Sequence, residues 1–498
     1  MTAAGRLTMQ RMIPVTRDSA LPLFDVAETR RLEAEAAASL PPHTLMQRAG
    51  LSVARLAMAL APHARTVWVA CGPGNNGGDG LEAAAQLRQR GFRPVVTWLG
   101  DVDHAPADAL TSLRRAQAEG VEFSDEPPAD FDLAIDALLG IGSRRAPEGR
   151  MSEWLARMAA GASPVLSVDV PTLLDADTGQ SLGPTTQSTA LRHCLSLLTL
   201  KPGLFTAQGR DASGSIWFDD LGVPHASARP VAWLNKAPAS HARAHGSHKG
   251  SYGDVAVIGG AAGMAGAARL AGSAALHGGA GRVFVAPLDP SATKFDAERP
   301  ELMFRDPQSI DVATMTVVCG CGGGTAVRAL LPRVLSSAPS LVLDADALNA
   351  LALDTSLQAQ LRARSAREWR TVMTPHPLEA ARLLGVTTAQ IQSDRLKSAQ
   401  ALAERFKATV VLKGSGSVIA SPDLTPRINV TGNARLATAG TGDVLAGMIG
   451  ALLAAGQPAF DAACAGVWQH GALADDWPAD VPLTASALAR GAVPNRRA

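Results

Sequence analysis

The chain has 498 residues, enough for two large domains that each bury a core. Hydrophobic residues make up 47% and charged residues 18%, a balance that excludes a disordered chain. Lys and Arg number 46 against 45 Asp and Glu, and aromatic residues make up only 4%, which argues against a surface for nucleic acid or anionic membranes. Five scattered cysteines are too few for a disulfide framework, so we expect a reducing compartment, the cytoplasm.

Two segments of the sequence have features of a targeting signal or a membrane span. Residues 1–22 contain arginines but no continuous apolar segment followed by a small-residue cleavage site, so we expect a disordered extension rather than a secretory signal. The longest apolar stretch, 444–456, is shorter than the ~20 residues that cross a bilayer. It predicts a buried helix, and we expect no membrane partner.

Short β-branched segments alternate with longer Ala- and Leu-rich helical segments, a pattern typical of parallel α/β proteins. In the first half, apolar spacing predicts a helix over 45–60 and four buried strands, at 66–71, 94–99, 133–137 and 164–168. A stretch rich in Pro, Ala, Ser and His predicts a linker over 225–247. A second series of strands follows at 253–258, 340–343, 371–373 and 409–412.

The first chemical motif is the loop Gly72-Pro-Gly-Asn-Asn-Gly-Gly-Asp-Gly80, between a strand that ends at Cys71 and a helix predicted over 81–90. A glycine-rich turn at a helix N-terminus directs free backbone N–H groups and the positive end of the helix dipole toward an anion, typically phosphate. The loop lacks the Gly-Lys-Ser/Thr ending of a Walker loop. We interpret it as a binding loop rather than as a purely structural turn.

Two aspartates sit at the ends of predicted strands in the same half. Asp136 precedes Ala-Leu-Leu-Gly140, and Asp169 precedes Val-Pro-Thr172. Ligands of open parallel sheets bind at the carboxyl ends of the strands, so both acids should converge on the glycine loop. Carboxylate, amide and hydroxyl oxygens grouped there would suit a hard cation. Each aspartate alone could be a capping residue, but their joint placement favours a functional site.

These strings, with Leu174-Asp-Ala-Asp-Thr-Gly179 and Lys201-Pro-Gly203, resemble the epimerase of NAD(P)H-hydrate repair, the YjeF N-terminal family, over residues 23–222. The resemblance implies a Rossmann-like three-layer domain that interconverts the R and S epimers of hydrated NADH or NADPH. One departure is that Thr172-Leu173 stands where the family usually has Ser-Gly.

The same resemblance implies roles for individual residues. Asp169 would face the nicotinamide as the acid or base. A potassium ion would be held by Asn76, Asp136 and Thr172. Contacts with the dinucleotide would come from Asp169 and from Asn75, Asn76, Gly77, Gly78, Asp79, Gly140, Ile141, Gly142, Ser143, Arg144, Arg145 and Ala146.

The second half has a comparable group of motifs. Thr438-Ala-Gly-Thr-Gly-Asp443 begins a helix predicted over 444–455. Backbone N–H groups at such a start can stabilise charge on a transferring phosphoryl group, while an aspartate there can accept a hydroxyl proton. The loop Lys413-Gly-Ser-Gly-Ser417 follows a strand and offers small residues where a nucleotide can approach the backbone. His376 and Glu379 lie at another strand-to-helix junction.

With the strings at 248–253, 257–260, 263–267 and 343–349, these motifs resemble the ADP-dependent NAD(P)H-hydrate dehydratase, of the ribokinase-like superfamily, over residues 241–492. The resemblance implies an α/β domain in which ADP phosphorylates the ring hydroxyl of the S hydrate. Phosphate then leaves, which yields NAD(P)H and AMP, and Mg²⁺ would accompany ADP. Two departures keep small residues: Gly320-Cys-Gly-Gly-Gly324 for Gly-Pro-Gly-Leu-Gly, and Ala439 for Gly.

This second resemblance also implies site residues. Asp443 would be the catalytic base. The hydrate would be lined by Ala267, Gly324, His376 and Asp443. The adenine nucleotide would be held by Lys413, Gly414, Ser415, Gly416, Ser417 and Gly442.

The sequence therefore predicts a bifunctional repair enzyme, an isomerase joined to a lyase, that binds small molecules and forms a homo-oligomer. An alternative is a ribokinase-like kinase of a small alcohol, since such kinases share the glycine turn and its aspartate. In that alternative the first half is a non-catalytic nucleotide-binding module, which the retained Asp136 and Asp169 argue against. Formation of AMP and of reduced nicotinamide from hydrate and ADP would separate the two.

Overall fold

The computed structural model describes residues 12–184, 189–239 and 244–491. The chain divides into a first unit, Met1–Thr16 with Leu21–Ala232, and a second unit, Arg17–Ala20 with Trp233–Ala498. The domain boundaries that we predict, 23–222 and 241–492, stay a prediction, and residues 241 and 492 lie outside the described residues. A search of the described part of the chain finds no helix with the length and hydropathy that a bilayer crossing requires.

The first unit is built on one large sheet. The strands of that sheet are β1 (Ile13–Pro14), β3 (Thr66–Cys71), β4 (Arg93–Trp98), β5 (Glu122–Phe123), β6 (Leu133–Ala137), β7 (Val165–Val168), β8 (Arg192–Leu197) and β9 (Ser215–Asp219), and the unit's further two-residue strand, β2 (Pro22–Leu23), lies outside it. Its helices are α1 (Val26–Ser39), α2 (Thr44–Leu60), α3 (Asn75–Gln89), α4 (Ala107–Ala118), α5 (Arg150–Ala160) and α6 (Gly209–Ser213). The sheet order is β1-β9-β8-β7-β6-β3-β4-β5, and every pair is parallel except β1 with β9.

The second unit has a similar plan. Its strands are β10 (Ala232–Asn235), β11 (Asp254–Gly259), β12 (Arg282–Pro287), β13 (Met303–Phe304), β14 (Thr316–Cys319), β15 (Ser340–Leu343), β16 (Arg370–Met373), β17 (Thr409–Leu412), β18 (Val418–Ser421) and β19 (Leu424–Asn429). Its helices are α7 (Ala265–His277), α8 (Leu331–Ser337), α9 (Ala345–Ala352), α10 (Thr355–Ala363), α11 (Pro377–Leu384), α12 (Thr388–Ser393), α13 (Arg395–Phe406), α14 (Thr441–Ala454), α15 (Ala459–Asp475) and α16 (Ala485–Gly491). These strands follow the order β13-β12-β11-β14-β15-β16-β17-β18-β19-β10, parallel from β13 to β17.

Helices pack closely on both sheets because small residues allow it. The central strands β6 and β14 are buried along their whole length, as expected for parallel strands covered on both faces. In the second unit, a Cβ added to Gly447 of α14 would lie 2.1 Å from the carbonyl oxygen of Ala271 in α7. The predicted buried helix of residues 444–456 is therefore found as α14, and the parallel α/β architecture is confirmed in both units.

The predicted start of one helix is wrong. We expected a loop as far as residue 80, but α3 begins at Asn75, and Gly78 N–H already donates to Gly74 C=O at 3.1 Å. Glycine disfavours helix in isolation, yet here the glycines permit tight packing: a Cβ on Gly80 would lie 2.6 Å from Ala137 Cβ. Packing against the sheet therefore outweighs local helix propensity.

Two segments expected to be irregular contain strands. Residues 1–11 lie outside the described residues, but Ile13 and Pro14 pair with β9, so the predicted disordered extension is wrong for the part that follows. The predicted linker of 225–247 contains β10, which is parallel to β19. Asn235 in β10 is buried and its side-chain amide donates to Asn429 Oδ1 at 2.9 Å, a long-range pairing that composition alone does not reveal.

Candidate active sites

In the first unit, the glycine loop joins β3 to α3 by close backbone approaches. A Cβ on Gly72 would lie 1.7 Å from Leu138 C=O, and one on Gly77 would lie 2.0 Å from Gly72 C=O. The expectation from the sequence that this loop lacks the G-x-G-x-x-G order is wrong, because Gly72, Gly74 and Gly77 have that spacing, which is typical of dinucleotide-binding turns. The first N–H groups of α3 have no acceptor within the helix and can bind an anion.

A cavity of about 700 Å³ opens beside this loop, within the size range of small-molecule sites. Its wall includes eight of the residues that we predict to bind the dinucleotide, namely Asn75, Asn76, Asp79, Gly140, Ile141, Gly142, Ser143 and Asp169. Five others that we predicted are not part of the wall, namely Gly77, Gly78, Arg144, Arg145 and Ala146. Sequence reasoning missed the side of the cavity formed by α1 and the segment before α2, including Arg30, Glu33 and His43.

Two of the three residues predicted to hold a cation are in contact. The Thr172 hydroxyl donates to Asp136 Oδ1, and Thr172 N–H donates to Asp136 Oδ2 at 3.1 Å. Asp136 is buried, and burial raises its pKa although the hydrogen bonds from Thr172 oppose this. The amide nitrogen of Asn76 is buried with no hydrogen-bond partner among the described residues, and a role for this side chain as a cation ligand stays a prediction. The carboxylate and hydroxyl oxygens of Asp136 and Thr172 are of the type that a hard cation prefers.

Leu173 does not displace any of these oxygens. Its Cδ2 would lie 3.0 Å from a Cβ added to Gly183, and its carbonyl accepts from Leu182 N–H at 2.6 Å. The side chain that departs from the usual Ser-Gly pattern is therefore directed to the turn that contains Gly183.

Asp169 lies at the end of β7 in an uncommon backbone conformation, with φ of 66°. Its Oδ1 accepts from Leu197 N–H at 3.1 Å and from Lys201 Nζ. The Lys201 side chain is fully buried and also donates to Leu197 C=O at 2.8 Å. These bonds orient the Asp169 carboxylate at the cavity wall. Sequence reasoning gave Lys201 no role, although it is the single lysine among residues 1–232.

Further carboxyl groups share this cavity with Asp169. Burial, and next the charge of Asp169, raise the pKa of Asp79 well above its ordinary value. The pKa of Glu33 is raised by the same two causes. The cavity therefore contains two carboxyl groups whose pKa is raised, beside the Asp169 carboxyl group that Lys201 holds.

In the second unit, the loops that follow parallel strands gather at one edge of the sheet, as expected for ligand sites in such sheets. Asp344 follows β15, and its Oδ1 accepts from Thr374 Oγ1 at 2.8 Å and from Lys413 Nζ at 2.7 Å. Burial alone would lower the pKa of Lys413, but the carboxylates of Asp344 and Glu379 raise it, so the ammonium stays protonated. Asp344 had no assigned role in the sequence.

Asp443 lies in the first turn of α14, which begins after Gly440 at φ 89°. Burial and then the charge of Asp344 raise the pKa of Asp443 to about 6. The group is therefore mostly ionised at neutral pH but can gain a proton, as a general base requires. Cys321, Asp344 and Asp443 place ligand atoms within 4.8 Å of one another.

The predicted nucleotide loop, residues 413–417, follows β17 and contacts the buried side chain of Arg395. Gly414 has φ of 141°, and a Cβ there would lie 2.8 Å from Arg395 Nη2. Arg395 is buried and donates to the carbonyls of Leu412 and Lys413, each at 3.2 Å. A Cβ on Gly442 would lie 3.5 Å from Lys413 Nζ, so the loop and the start of α14 meet at this lysine.

The remaining predicted residues are Gly324 in the loop after β14, Ala267 in α7 and His376 at the start of α11. Gly324 N–H donates to Asp346 Oδ2 at 2.8 Å, and a Cβ on Gly322 would lie 2.8 Å from Ala267 Cβ. His376 caps α11: its Nδ1 accepts from Glu379 N–H at 3.2 Å, and its Nε2 lies 3.2 Å from Glu379 Oε1. Both ring nitrogens thus have partners within the turn, and a contact with the hydrate stays a prediction.

Models of two protein families match this chain, one in each half. The model of the YjeF-related protein N-terminus matches residues 42–203, and the model of NAD(P)H-hydrate dehydratase matches residues 255–492. The chain belongs to the family of bifunctional NAD(P)H-hydrate repair enzymes.

Relatives in this family match most of the chain or its second half. The chain is 37% identical to the bifunctional NAD(P)H-hydrate repair enzyme Nnr of Escherichia coli over 469 residues, 90% of this chain and 88% of the relative. It is 46% identical to the ADP-dependent (S)-NAD(P)H-hydrate dehydratase of Neisseria meningitidis over 264 residues, 51% of this chain and 88% of the relative. A solved ADP/ATP-dependent NAD(P)H-hydrate dehydratase of Bacillus subtilis is 29% identical, covers 50% of this chain and 91% of its own, and has a TM-score of 0.42.

Proposed function

We propose that this chain repairs hydrated NADH and NADPH by two reactions. The first unit epimerises the R and S hydrates, and the second unit dehydrates the S hydrate at the expense of ADP, which makes the chain both an isomerase and a lyase. The observation that carries the proposal is that one chain matches both families and has an aspartate in each candidate site. Those aspartates are Asp169 at the cavity and Asp443 at the glycine turn.

In the dehydratase, Asp443 accepts the proton of the ring hydroxyl as that oxygen attacks the β-phosphoryl group of ADP, and AMP leaves. The free N–H groups at the start of α14 and the ammonium of Lys413 stabilise the negative charge of the transferring group. The phosphorylated ring then loses phosphate and a ring proton, which restores the double bond of NAD(P)H. Loop 413–417 and Gly442 hold the adenine nucleotide, while Ala267, Gly324 and His376 line the hydrate. Mg²⁺ bound to ADP would neutralise phosphate charge.

In the epimerase, Asp169 exchanges a proton with the hydrated nicotinamide, and Lys201 fixes the carboxylate for that exchange. The cation set of Asn76, Asp136 and Thr172 would hold K⁺, whose charge would strengthen the anion-binding end of the loop. The phosphate groups would lie at the N-terminus of α3, with contacts from Asn75 to Asp79 and from residues 140–146.

We propose that the chain acts in the cytoplasm. All five cysteines are buried and free, which agrees with a reducing compartment such as the cytoplasm. We propose a homo-oligomer, which light scattering of the purified chain would test against a monomer.

The experiment that tests the function is incubation of mixed R and S hydrates with ADP and Mg²⁺. We expect both epimers to disappear and AMP to form in equal amount to NAD(P)H. If a phosphorylated product accumulates without recovery of reduced-nicotinamide absorbance, the kinase alternative is correct. If only the S hydrate is consumed beyond the no-enzyme rate, the first unit is a binding module.

A further inference from the structure

Cys321 is a residue that the proposed reaction does not use, although it lies among the groups that the reaction does use. It follows β14 and occupies a position where the resembling dehydratases usually have proline. Its side chain is fully buried, and its Sγ lies 4.0 Å from Asp344 Oδ2. Burial raises the pKa of this thiol well above its ordinary value, and the charges of Asp443 and Asp344 add to the effect.

We propose that Cys321, Asp344 and Asp443 form a binding site for a thiophilic divalent cation of the zinc class, and that occupation of this site inhibits the dehydratase. The three ligand atoms lie within 4.8 Å of one another and come from three different loops. Zinc takes thiolate at about 2.3 Å and carboxylate oxygen at about 2.1 Å, so closure around the ion needs movements on the order of 1 Å.

Hydrogen bonds from neighbouring side chains orient Asp344, one of the three proposed ligands. Asp344 Oδ1 is occupied by Thr374 and Lys413, which fixes the carboxylate with its Oδ2 toward Cys321. Such outer partners orient metal ligands and strengthen binding. The charge also fits, because the ammonium of Lys413 offsets part of the negative charge of the thiolate and carboxylates, and a divalent cation neutralises the rest.

Binding requires that Cys321 loses its proton. The cation forms bonds to Sγ and to the two carboxylates, and the thiol proton passes to solvent. A hard ion such as Mg²⁺ prefers oxygen ligands and should not compete for the thiolate.

The inhibition rests on the proposed role of Asp443, but the binding does not. Cadmium is the probe for binding, because a thiolate bound to Cd²⁺ gives an ultraviolet charge-transfer band that needs no enzyme activity. We expect this band in the full-length parent chain and its loss in Cys321→Ser and in Cys321→Pro, which restores the residue usual in the family. The matched control is Cys319→Ala, which removes the buried thiol two residues earlier and should keep the band.

Zinc at buffered free concentrations is the probe for inhibition. With excess Mg²⁺ and ADP present, half-inhibition of dehydration should require at least about tenfold more free Zn²⁺ in the Cys321 variants than in the parent, each relative to its own uninhibited rate. Equal zinc sensitivity in the parent and both variants, or a cadmium band that survives both substitutions, would overturn the proposal. A band that depends on Cys321 without any dehydratase activity in the parent would instead overturn the proposed function and keep the site.

Discussion

Asp443 combines two properties that the proposed dehydration needs. It lies at the N-terminus of α14, beside the free N–H groups that would stabilise a phosphoryl group, and it is partly buried next to Asp344. The amide of asparagine has nearly the same size as the carboxylate but cannot accept the hydroxyl proton. These properties separate the role of the side chain in catalysis from its role in packing.

We therefore expect Asp443→Asn to abolish dehydration, with a loss of about 10²–10⁴ in rate, and to leave ADP binding and epimerisation nearly intact. The control is Asp461→Asn, which removes an exposed acid in the first turn of the next helix, α15. Turnover by Asp443→Asn within a few fold of the parent would show that another group is the base.

The pH dependence of dehydration follows from the same carboxylate. Because burial and Asp344 raise the pKa of Asp443 to about 6, the ionised base is lost as pH falls through this value. The rate at limiting hydrate should be level above pH 7 and decrease about tenfold per pH unit below pH 6. Rates measured from pH 5 to pH 8 would check this, and a midpoint near pH 4, the value of an ordinary aspartate, would contradict it.

We propose that Lys201 is a positioning residue whose partner is Asp169. Lys201→Met keeps a long apolar stem but removes the buried ammonium that donates to the Asp169 carboxylate. We expect slower epimerisation, by at least about tenfold, because the carboxylate loses the donor that orients it. Breaking such a pair also destabilises the first unit, by up to ~3–5 kcal/mol. Dehydration of the S hydrate is the internal control, and epimerisation at the parent's rate would contradict the positioning role.

At the scale of elements, periodicity predicted the central strands well because they are short apolar segments buried on both faces. The strands at 133–137, 340–343 and 409–412 have the predicted bounds. The start of α3 could not be predicted in this way. Its glycines disfavour helix, but they are required by close contacts with Gly72 and with Ala137, and the contact with Ala137 in β6 is not visible in the local sequence. Strand β10 was missed for the same kind of reason: its partner β19 lies almost two hundred residues away.

The candidate sites show the same division. Motifs at strand ends predicted Asp136 and Asp169, because parallel topology brings such ends together, and the glycine turn at a helix start predicted Asp443. A side chain that holds a loop through hydrogen bonds to its carbonyl groups has no sequence motif that would identify it. Arg395 begins an ordinary amphipathic helix in the sequence, and only the structure places its guanidinium under the loop after β17.

Arg395 gives a prediction at this scale. Arg395→Met should loosen loop 413–417, because the carbonyls of Leu412 and Lys413 lose their donors. We expect the KM for ADP to increase about tenfold, equivalent to ~1.4 kcal/mol, with a smaller decrease in kcat. Arg405→Met is the matched control on the same helix, since Arg405 is exposed and bonds Leu384 and Gln358 instead. An equal effect of both substitutions on KM would mean that the helix, not the loop, was disturbed.

At the scale of the whole molecule, the two units share a parallel α/β architecture although they catalyse different reactions. Each gathers carboxylates and glycine turns at the carboxyl ends of parallel strands. Because the dehydratase acts on the S hydrate, the R hydrate can be repaired only after epimerisation. Loss of one unit's chemistry should therefore affect one epimer selectively.

Asp169→Ala tests this division of labour. Epimerisation changes one stereocentre with no net oxidation or reduction, so it needs proton transfer and a held dinucleotide. Asp169 at the cavity wall is the residue that we propose for the proton transfer. With ADP and Mg²⁺ present, we expect the variant to consume the S hydrate at the parent's rate and to leave the R hydrate unconsumed. Spontaneous epimerisation would mask the difference, so the assay must be short and run beside a no-enzyme control, with each epimer followed by chromatography. If Asp169→Ala and the parent consume the R hydrate at the same rate above that control, Asp169 is not the epimerase residue proposed here.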